Sequence, residues 1–519
     1  MYDILIQNGT VIDGTGKSAY QADVGILNGL ISEIGPKLNP KKATKIIDAK
    51  DQYVTPGFID IQNHSDSYWT LFDQPEQKSL LAQGITSIVI GNCGASLAPL
   101  SNAETLKTFQ KWHNLSGINV NWSSFNELLQ VLDSMPKGVN VASLVGHATL
   151  RRGLLGDQPR NAKPEEIQIM ENLLMVALNE GGMGLSMGLI YAHEVNSTTE
   201  ELIKLTTHLK NSKKYLSVHL RSEGGAILDA VDEVIDLAGR CEIPVKISHL
   251  KVRDKKNWHN FDRVISKLEN AYHQGIDVTF DVYPYSSSWS VLYTYLPRWA
   301  YEGGRAEITR RLNQATDRRK ILDYLKDQQY DYQNIIIATA ENNAGFVGKT
   351  IQAIAVNQNV SNEEALMNVI AATQAQVIGF DHNLSDENVE LFLSSPLSII
   401  STDGAGYNSE AEHLVHPRCY GTMPAFLKMV RDKKLMRWEQ AIKKITSEPA
   451  RLLGMPNRGT LAEQAAADIV VFDPLAIKDM ASYEHPFRFP EGIDSVLVNG
   501  KVAWANNDLE GMHGQVIRR

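Results

Sequence analysis

Thr86-Ser-Ile-Val-Ile-Gly-Asn-Cys93 is a short apolar run that ends at a cysteine, and three later runs end in a similar way. Tyr215-Leu-Ser-Val-His219 and Val245-Lys-Ile-Ser-His249 end at histidines, and Leu397-Ser-Ile-Ile-Ser-Thr-Asp403 ends at an aspartate. Short, largely apolar runs are consistent with buried strands. In a closed (β/α)₈ barrel the carboxyl ends of all strands meet at one mouth. The four side chains are therefore expected to meet there as a metal site with a base.

Strand-like runs alternate with helical patterns over most of the chain, which is typical of parallel βα units. The sequence predicts eight strands, which end near His64, Cys93, His147, Leu189, His219, His249, Tyr285 and Asp403. The segment 164–178 predicts a connecting helix, with Pro164 near its first turn and apolar residues at helical intervals. The interval after strand seven is too long for one helix, so we expect an inserted subdomain at about 290–350.

Both ends of the chain predict a second, smaller domain. Short β-rich runs fill the first fifty residues, and Val496-Leu-Val-Asn-Gly-Lys-Val502 matches their strand-turn-strand pattern. Asn-Gly, which occurs at residues 8–9 and 499–500, is a strong hairpin dipeptide. We therefore expect a small β-sandwich domain built from residues 1–55 and 455–519. It would lie beside an α/β fold, a TIM-like (β/α)₈ barrel of residues 56–454.

Composition excludes several kinds of partner. The chain carries 51 basic and 60 acidic residues, a net charge of −9, which argues against nucleic-acid or anionic-membrane binding and favours a small-molecule substrate. There is no apolar window of about 18 residues and no signal-peptide pattern at the start. Three cysteines are too few for a disulfide framework, so a soluble protein of the reducing cytoplasm is expected. The oligomeric state is left open.

The residue types at the strand ends point to zinc. A thiolate and neutral imidazoles are zinc ligands, and Cys93, His219 and His249 supply three, leaving a position for water. Taken alone, a cysteine after an apolar run is more often a small buried core residue than a metal ligand. Asp403, before a glycine-rich loop, is the expected general base and acid, and its alternative role is to cap the following helix.

Pro56-Gly-Phe-Ile-Asp-Ile-Gln-Asn-His64 resembles the first barrel strand of the amidohydrolase superfamily, in which this motif leads into a His-x-His pair of metal ligands. The first histidine of that pair is Gln62 here. Glutamine is a poor zinc ligand, so a second metal at this position is not expected. His64 has two possible roles, as a metal ligand or as a hydrogen-bond partner of Asp403 or water.

Further motifs resemble the D-aminoacylase group, the N-acyl-D-amino-acid deacylases, over nearly the whole chain. They are Gly91-Asn-Cys-Gly94, Val145-Gly-His-Ala-Thr-Leu-Arg151, Gly184-Leu-Ser-Met-Gly-Leu-Ile-Tyr191, His219-Leu-Arg-Ser-Glu-Gly224, Ser248-His-Leu-Lys251, Asp281-Val-Tyr-Pro-Tyr285, Asp403-Gly404 and His416-Pro-Arg-Cys-Tyr-Gly-Thr422. The resemblance implies a zinc-dependent deacylase that hydrolyses the amide of N-acyl-D-amino acids. It also implies one tightly held zinc on Cys93, His219 and His249, and a weakly occupied second site that activity need not require.

The same resemblance assigns the substrate carboxylate to Lys251, Tyr283 and Arg418, with Ser288 assisting. The chemistry agrees, because an arginine binds a carboxylate through two nitrogens while lysine and a tyrosine hydroxyl add charge and direction. The alternative for the two cations is solvated surface charge.

Two other polar residues near strand ends have open roles. His147 either lines the pocket or bonds a buried carbonyl. Arg221 either shares the strand face of His219 or pairs with Glu223 or Asp281.

Two rival functions remain. One is another amidohydrolase activity, such as a dihydropyrimidinase-like or hydantoinase-like cyclic amidase or an isoaspartyl dipeptidase. Those enzymes usually bridge two metals with a carboxylated lysine, a role that Cys93 replaces here. The other is a non-catalytic ligand-binding homologue, suggested by Gln62 and disfavoured by the retained Asp403.

Overall fold

The computed structural model describes residues 1–102, 105, 119–212, 214–340, 343–408 and 413–519. Its strands are β1 Tyr2–Val11, β2 Tyr20–Leu27, β3 Leu30–Gly35, β4 Ala43–Asp48, β5 Tyr53–Pro56, β6 Phe58–Asp60, β7 Ile85–Ile90, β8 Asn140–Ser143, β9 Val145–Gly146, β10 Gly184–Gly188, β11 Tyr215–His219, β12 Val245–Ile247, β13 Val278–Val282, β14 Ser288–Val291, β15 Ile335–Ala340, β16 Val377–Asp381, β17 Ser398–Ile400, β18 Ile469–Phe472, β19 Ile493–Val498, β20 Lys501–Ala505 and β21 Asp508–Leu509.

The α-helices of the described residues lie in the central part of the chain, between Thr70 and Leu453. They are α1 Thr70–Asp73, α2 Lys78–Leu81, α3 Phe125–Ser134, α4 His147–Leu155, α5 Pro164–Asn179, α6 Thr199–Ser212, α7 Ile227–Cys241, α8 Phe261–His273, α9 Arg298–Tyr301, α10 Gly304–Asn313, α11 Ala315–Gln328, α12 Ile351–Gln358, α13 Asn362–Ala372, α14 Asp386–Ser394, α15 Arg418–Lys433, α16 Trp438–Ile445 and α17 Ser447–Leu453. Short 3₁₀ turns cover Pro40–Lys42, Lys255–Asn260, Leu292–Tyr295 and Ala344–Phe346. Within the described residues, no helix has the length and apolar character needed to cross a membrane.

Parallel strands form a closed ring in the middle of the chain. One arc pairs β6, β7 and β8, and the other runs β9, β10, β11, β12, β13, β17. The chain itself joins β8 to β9, and on the opposite side a parallel bridge joins Asn63 to Gly404. There the backbone N–H of His64 donates to Gly404 O at 2.7 Å. This is the eight-stranded barrel that the strand-end pattern predicts, with β8 and β9 as one interrupted strand.

Asp60 ties the first barrel strand to the last. Its carboxylate accepts hydrogen bonds from the Thr402 backbone at 2.9 Å, from the Thr402 hydroxyl at 2.6 Å and from Asn63 Nδ2 at 2.8 Å. Complete burial raises the pKa of Asp60 to about 6 despite these bonds. The aspartate of the Pro-Gly-Phe-Ile-Asp motif therefore closes the ring next to the site.

The two ends of the chain share one nine-stranded network, in the order β21-β20-β19-β18-β5-β1-β2-β3, with β4 also paired to β1. Strand β1 is antiparallel to β2 and parallel to β4 and β5. Apolar side chains from both ends form a common core, among them Ile6, Val24, Val471 and Leu497. The domain boundaries at 55/56 and 454/455 stay a prediction.

A separate unit lies between β13 and β17. Its antiparallel sheet has the order β14-β16-β15, and α9 to α13 lie along the same stretch of chain. Apolar residues of this unit form a second core, which also includes Tyr407 and Tyr420 from the main part of the chain. The extra length after strand seven is thus a folded insertion, and its first strand begins at Ser288, beside the barrel mouth.

Candidate metal centre and active site

The cysteine and the two histidines at the strand ends converge on one point. Cys93 Sγ lies 3.5 Å from His249 Nε2 and 3.7 Å from His219 Nδ1, and all three atoms lie within 4.8 Å of one another. A tetrahedral zinc with sulfur at about 2.3 Å and nitrogen at about 2.0 Å holds those atoms about 3.5 Å apart. The residues are only 8 %, 3 % and 4 % exposed. Spacing, donor type and burial therefore fit a zinc ion.

Three residues of the site have a backbone conformation that is unfavourable for residues other than glycine. Cys93, His249 and Asp403 have φ angles of 52°, 35° and 46°, in the left-handed region. For a non-glycine residue that conformation costs about 1–2 kcal/mol. All three follow a strand by two or three residues, and all three line the same cavity. The rest of the fold therefore holds the site preformed at a cost in stability.

Neighbouring residues fix the turn that carries Cys93. The Asp66 carboxylate accepts a hydrogen bond from the Gly91 backbone at 2.7 Å. Gly94 has a φ of 79°, and a Cβ atom at this position would lie 2.2 Å from Glu194 Oε2. Only glycine fits between that carboxylate and the turn, which explains the residue that follows the cysteine.

The surroundings of Cys93 and His249 favour the charged forms of both side chains. Burial alone would raise the pKa of Cys93, but hydrogen bonds with His219 and His249 outweigh it and hold the pKa of this thiol well below its usual value. Burial and Lys251 lower the pKa of His249, whereas Asp403 and Cys93 raise it, with a net rise to about 9. A thiolate is the form that binds metal, and the imidazole must lose its proton to do so.

Asp403 lies opposite the cluster between two cationic groups. Its Oδ2 is 2.7 Å from Arg418 Nη2, and its Oδ1 is 3.1 Å from His64 Nε2. Burial raises the pKa of Asp403, but the charges of Arg418 and His249 and the contact with His64 hold it well below its usual value. This carboxylate is ionised at neutral pH and has a fixed orientation.

His64 lies between the aspartate and the cysteine. Its Nε2 is 3.1 Å from Asp403 Oδ1 and 3.9 Å from Cys93 Sγ. Burial lowers the pKa of His64, but the hydrogen bonds with Asp403 and Cys93 raise it to about 10. Of the two roles that the sequence left open, these distances favour the partner of Asp403.

Arg418 lines the far side of the site, and the Tyr283 ring packs against its guanidinium. The guanidinium carbon lies 4.5 Å from the centroid of the Tyr283 ring, and Lys251 Nζ lies 5.8 Å from that centroid. Arg418 Nε and Nη1 and the Tyr283 hydroxyl are buried without a hydrogen-bond partner among the described residues. Buried donors without a protein partner indicate a missing acceptor.

Glu223 is a residue of the site that the sequence did not single out. Its Oε1 lies 2.9 Å from Lys251 Nζ, 3.2 Å from His249 Nδ1 and 3.5 Å from His219 Nε2. Burial raises the pKa of Glu223, but Lys251 and His219 hold it well below its usual value. One carboxylate thus faces the outer nitrogens of both imidazoles. The sequence signal that could have identified Glu223 was its position four residues after His219 in the motif His219-Leu-Arg-Ser-Glu-Gly224.

A small cavity of about 70 Å³ is lined by Cys93, His219, His249, His64, Glu223, Lys251, Asp403 and Arg418. Tyr283 does not line it and instead lines an adjoining space together with Lys251. Ser288 lines it and is 3 % exposed, with its hydroxyl oxygen 3.5 Å from Asp381 O. Tyr68 and Trp289 also line it and stack with ring centroids 4.9 Å apart. A larger cavity of about 810 Å³ lies alongside, and both are lined by Glu223 and Arg253.

Both interpretations of His147 were wrong, and so was the pairing of Arg221 with Glu223 or Asp281; that Arg221 shares the strand face of His219 stays a prediction. His147 lies between Glu194 and Glu201, with 2.8 Å from a ring nitrogen to each carboxylate. Burial lowers the pKa of His147, but those two carboxylates raise it to about 9. Arg221 pairs with Glu233 at 2.9 Å. The partners of His147 lie 47 and 54 residues away in sequence, and the partner of Arg221 lies 12 residues away.

The chain belongs to the amidohydrolase family, whose model matches residues 45–503. It is 30 % identical to D-aminoacylase of Alcaligenes xylosoxydans xylosoxydans over 100 % of this chain and 98 % of that protein. It is 31 % identical to N-acyl-D-glutamate deacylase of the same organism, over 100 % of this chain and 96 % of the relative. The family resemblance drawn from the motifs is confirmed.

Solved structures agree over the full length. N-acyl-D-glutamate deacylase of Bordetella bronchiseptica, complexed with zinc and a phosphonate mimic of the tetrahedral intermediate, is 28 % identical and has a TM-score of 0.84, with 100 % of both chains covered. A D-aminoacylase with a binuclear metal centre is 29 % identical, with a TM-score of 0.85 and the same coverage. The predicted fold class is thereby confirmed. L-Hydantoinase of Arthrobacter aurescens, at 14 % identity and a TM-score of 0.59, shares the fold.

Proposed function

We propose that this protein is a zinc-dependent hydrolase that cleaves the amide bond of N-acyl-D-amino acids to a carboxylate and a free D-amino acid. The observation that carries the proposal is one cavity with a Cys-His-His cluster, an ionised aspartate and unsatisfied cationic donors on its wall. Relatives that match the whole chain are deacylases of this kind.

Cys93, His219 and His249 would hold the zinc ion. Zinc bound there supplies Lewis acidity, which polarises an acyl carbonyl and makes water a better proton donor. Glu223 Oε1 lies 3.2 Å from His249 Nδ1, on the side of the ring away from Cys93, and so helps to keep His249 Nε2 facing the sulfur. A carboxylate in this position fixes the ring orientation and increases the basicity of the ligating nitrogen.

Asp403 is the general base and acid of the proposal. Arg418 holds Oδ2, which leaves Oδ1 on the side of the cluster to accept a proton from the attacking water. The same atom then returns the proton to the leaving nitrogen. His64 donates to Oδ1 and so keeps the carboxylate aimed across the cavity.

Arg418, Tyr283 and Lys251 bind the substrate α-carboxylate, with Ser288 at the edge of the same cavity. Arg418 Nε and Nη1 and the Tyr283 hydroxyl supply the donors that lack a protein partner. The Cys-His-His cluster, Asp403 and the carboxylate-binding side chains fix three points around the α-carbon of the substrate. One enantiomer then places its side chain in open space while the other meets the wall.

The small size of the cavity supports a small-molecule substrate rather than a polymer. All three cysteines are buried and unpaired, which supports a reducing compartment such as the cytoplasm. A cyclic amidase with a lysine-bridged metal pair is less well supported. Lys246, which lies in the barrel near the cluster, is fully buried and ion-paired with Asp281.

The test is a substrate panel. Zinc-loaded protein is offered N-acetylated D- and L-amino acids of acidic, aliphatic and aromatic side chains, and the released amine is assayed. Turnover restricted to the D series is expected. Preference for the L series, hydrolysis of cyclic amides instead, or ligand binding without turnover would each contradict the proposal.

A further inference from the structure

Gln62 lies where the motif resemblance expects a metal-binding histidine, and its side chain is bonded at both ends. Nε2 donates to Cys93 Sγ at 3.1 Å, and Oε1 accepts from Lys246 Nζ at 2.5 Å and from Ser248 Oγ at 3.2 Å. An ammonium group has donors only, so the amide oxygen must face Lys246. The amide N–H is therefore the group that points at the sulfur.

Lys246 is itself held in place. It is fully buried on β12, and its ammonium contacts Asp281 Oδ1 at 2.5 Å. Asp281 Oδ2 accepts a hydrogen bond from Ser401 on the opposite side. Because a buried charge is costly to leave unpaired, this pair and its hydrogen bonds fix the Gln62 amide in a single orientation.

We infer that Gln62 and Lys246 close the position from which a second cation would bridge Cys93. The amide N–H occupies one side of the sulfur, glutamine offers no imidazole, and an ammonium lies directly behind it. A D-aminoacylase relative has a binuclear centre, described as having one-metal activation and second-metal attenuation. This chain is then a single-cation protein that excess metal does not attenuate. The inference rests on the proposed metal-dependent function.

The first experiment titrates the protein with Co²⁺ in place of zinc and follows stoichiometry by equilibrium dialysis. The parent is expected to bind one Co²⁺ per chain up to about 1 mM free cation, with no second step. Gln62→His removes the N–H donor to sulfur, supplies an imidazole and keeps the Lys246–Asp281 pair, so it is expected to gain a second equivalent. The inference is overturned if the parent binds two equivalents of Co²⁺, or if Gln62→His binds only one.

The second experiment tests the bond to sulfur by the thiolate-to-cobalt charge-transfer band. An N–H donor stabilises the sulfur lone pairs, so Gln62→Leu is expected to move the band to lower energy. Gln83→Leu is the matched control. Gln83 is also buried, but its amide donates to Ser79 O and Cys419 O instead of the site. A band that does not move in Gln62→Leu overturns the role of Gln62.

The two proposals fail in different ways. A parent that binds one Co²⁺ but releases no amine from any D-substrate contradicts the deacylase proposal alone. A parent that releases amine but binds a second cation contradicts this inference alone.

Discussion

Glu223→Gln tests how far one carboxylate supports the metal centre. The substitution keeps size and shape but removes the charge that lies 3.2 Å from His249 Nδ1 and 3.5 Å from His219 Nε2. Loss of such a carboxylate partner typically costs 10- to 100-fold in metal affinity, or about 1.4–2.7 kcal/mol. Because Glu223 is hydrogen-bonded to His249 and lies beside His219, the two proposed ligand histidines, we expect a loss within that range.

The substitution also acts on Lys251. Burial lowers the pKa of Lys251, and the adjacent Glu223 at 2.9 Å is the main group that raises it above its usual value. Without that charge the pKa falls, so the ammonium loses its proton at lower pH. The basic limb of the kcat/KM profile is therefore expected to move to lower pH in Glu223→Gln.

The assay is competition for zinc against a chromophoric chelator, together with a pH profile of amine release. Glu233→Gln is the matched control, because that carboxylate pairs with Arg221 in the neighbouring cavity. It should leave zinc affinity unchanged. Parental zinc affinity together with an unshifted basic limb in Glu223→Gln would refute the role assigned to Glu223.

Three further predictions concern the chemistry of the site. Asp403→Asn should keep its zinc, measured by elemental analysis, but lose at least about 100-fold in turnover; near-normal turnover would reduce Asp403 to a structural role. Arg418→Met should lower kcat/KM by about 2–4 kcal/mol with unchanged zinc content, and parental activity toward N-acyl-D-amino acids would contradict the carboxylate clamp. Zinc binding at pH 7 should release about one proton from His249, whose pKa is raised to about 9, and affinity should rise with pH up to that value. Calorimetry in two buffers of different ionisation enthalpy measures the proton, and buffer-independent heats would contradict it.

The clustering of the residues at the strand ends was predictable, because the barrel topology alone brings those ends together. Cys93, His219, His249 and Asp403 are separated by up to 310 residues, yet apolar runs before each of them are enough to place them at one mouth. The long interval after strand seven likewise predicted an insertion. These inferences depend only on periodicity and on the geometry of parallel strands.

Contacts between side chains were not predictable in the same way. His147 binds two glutamates that lie 47 and 54 residues away, and no local pattern links those positions. The bond from Gln62 to Cys93 depends on the buried charge of Lys246, whose sequence context is that of an ordinary strand residue. The left-handed backbone of Cys93 and Asp403 is imposed by packing against the local preference of the residues.

The point where the first and last barrel strands meet lies beside Asp403, the proposed general base, and its hydrogen-bond partner His64. His64 and Asp403 follow the first and last strands of the ring, and the backbone hydrogen bond from His64 to Gly404 joins the two segments that carry them. The contacts that close the ring therefore lie next to the contact that orients the proposed general base, Asp403. Deuterium exchange at the His64 amide would measure how often the backbone hydrogen bond to Gly404 opens. A slow exchange rate at this single amide would show that the barrel is held closed at the point where Asp403 and His64 meet.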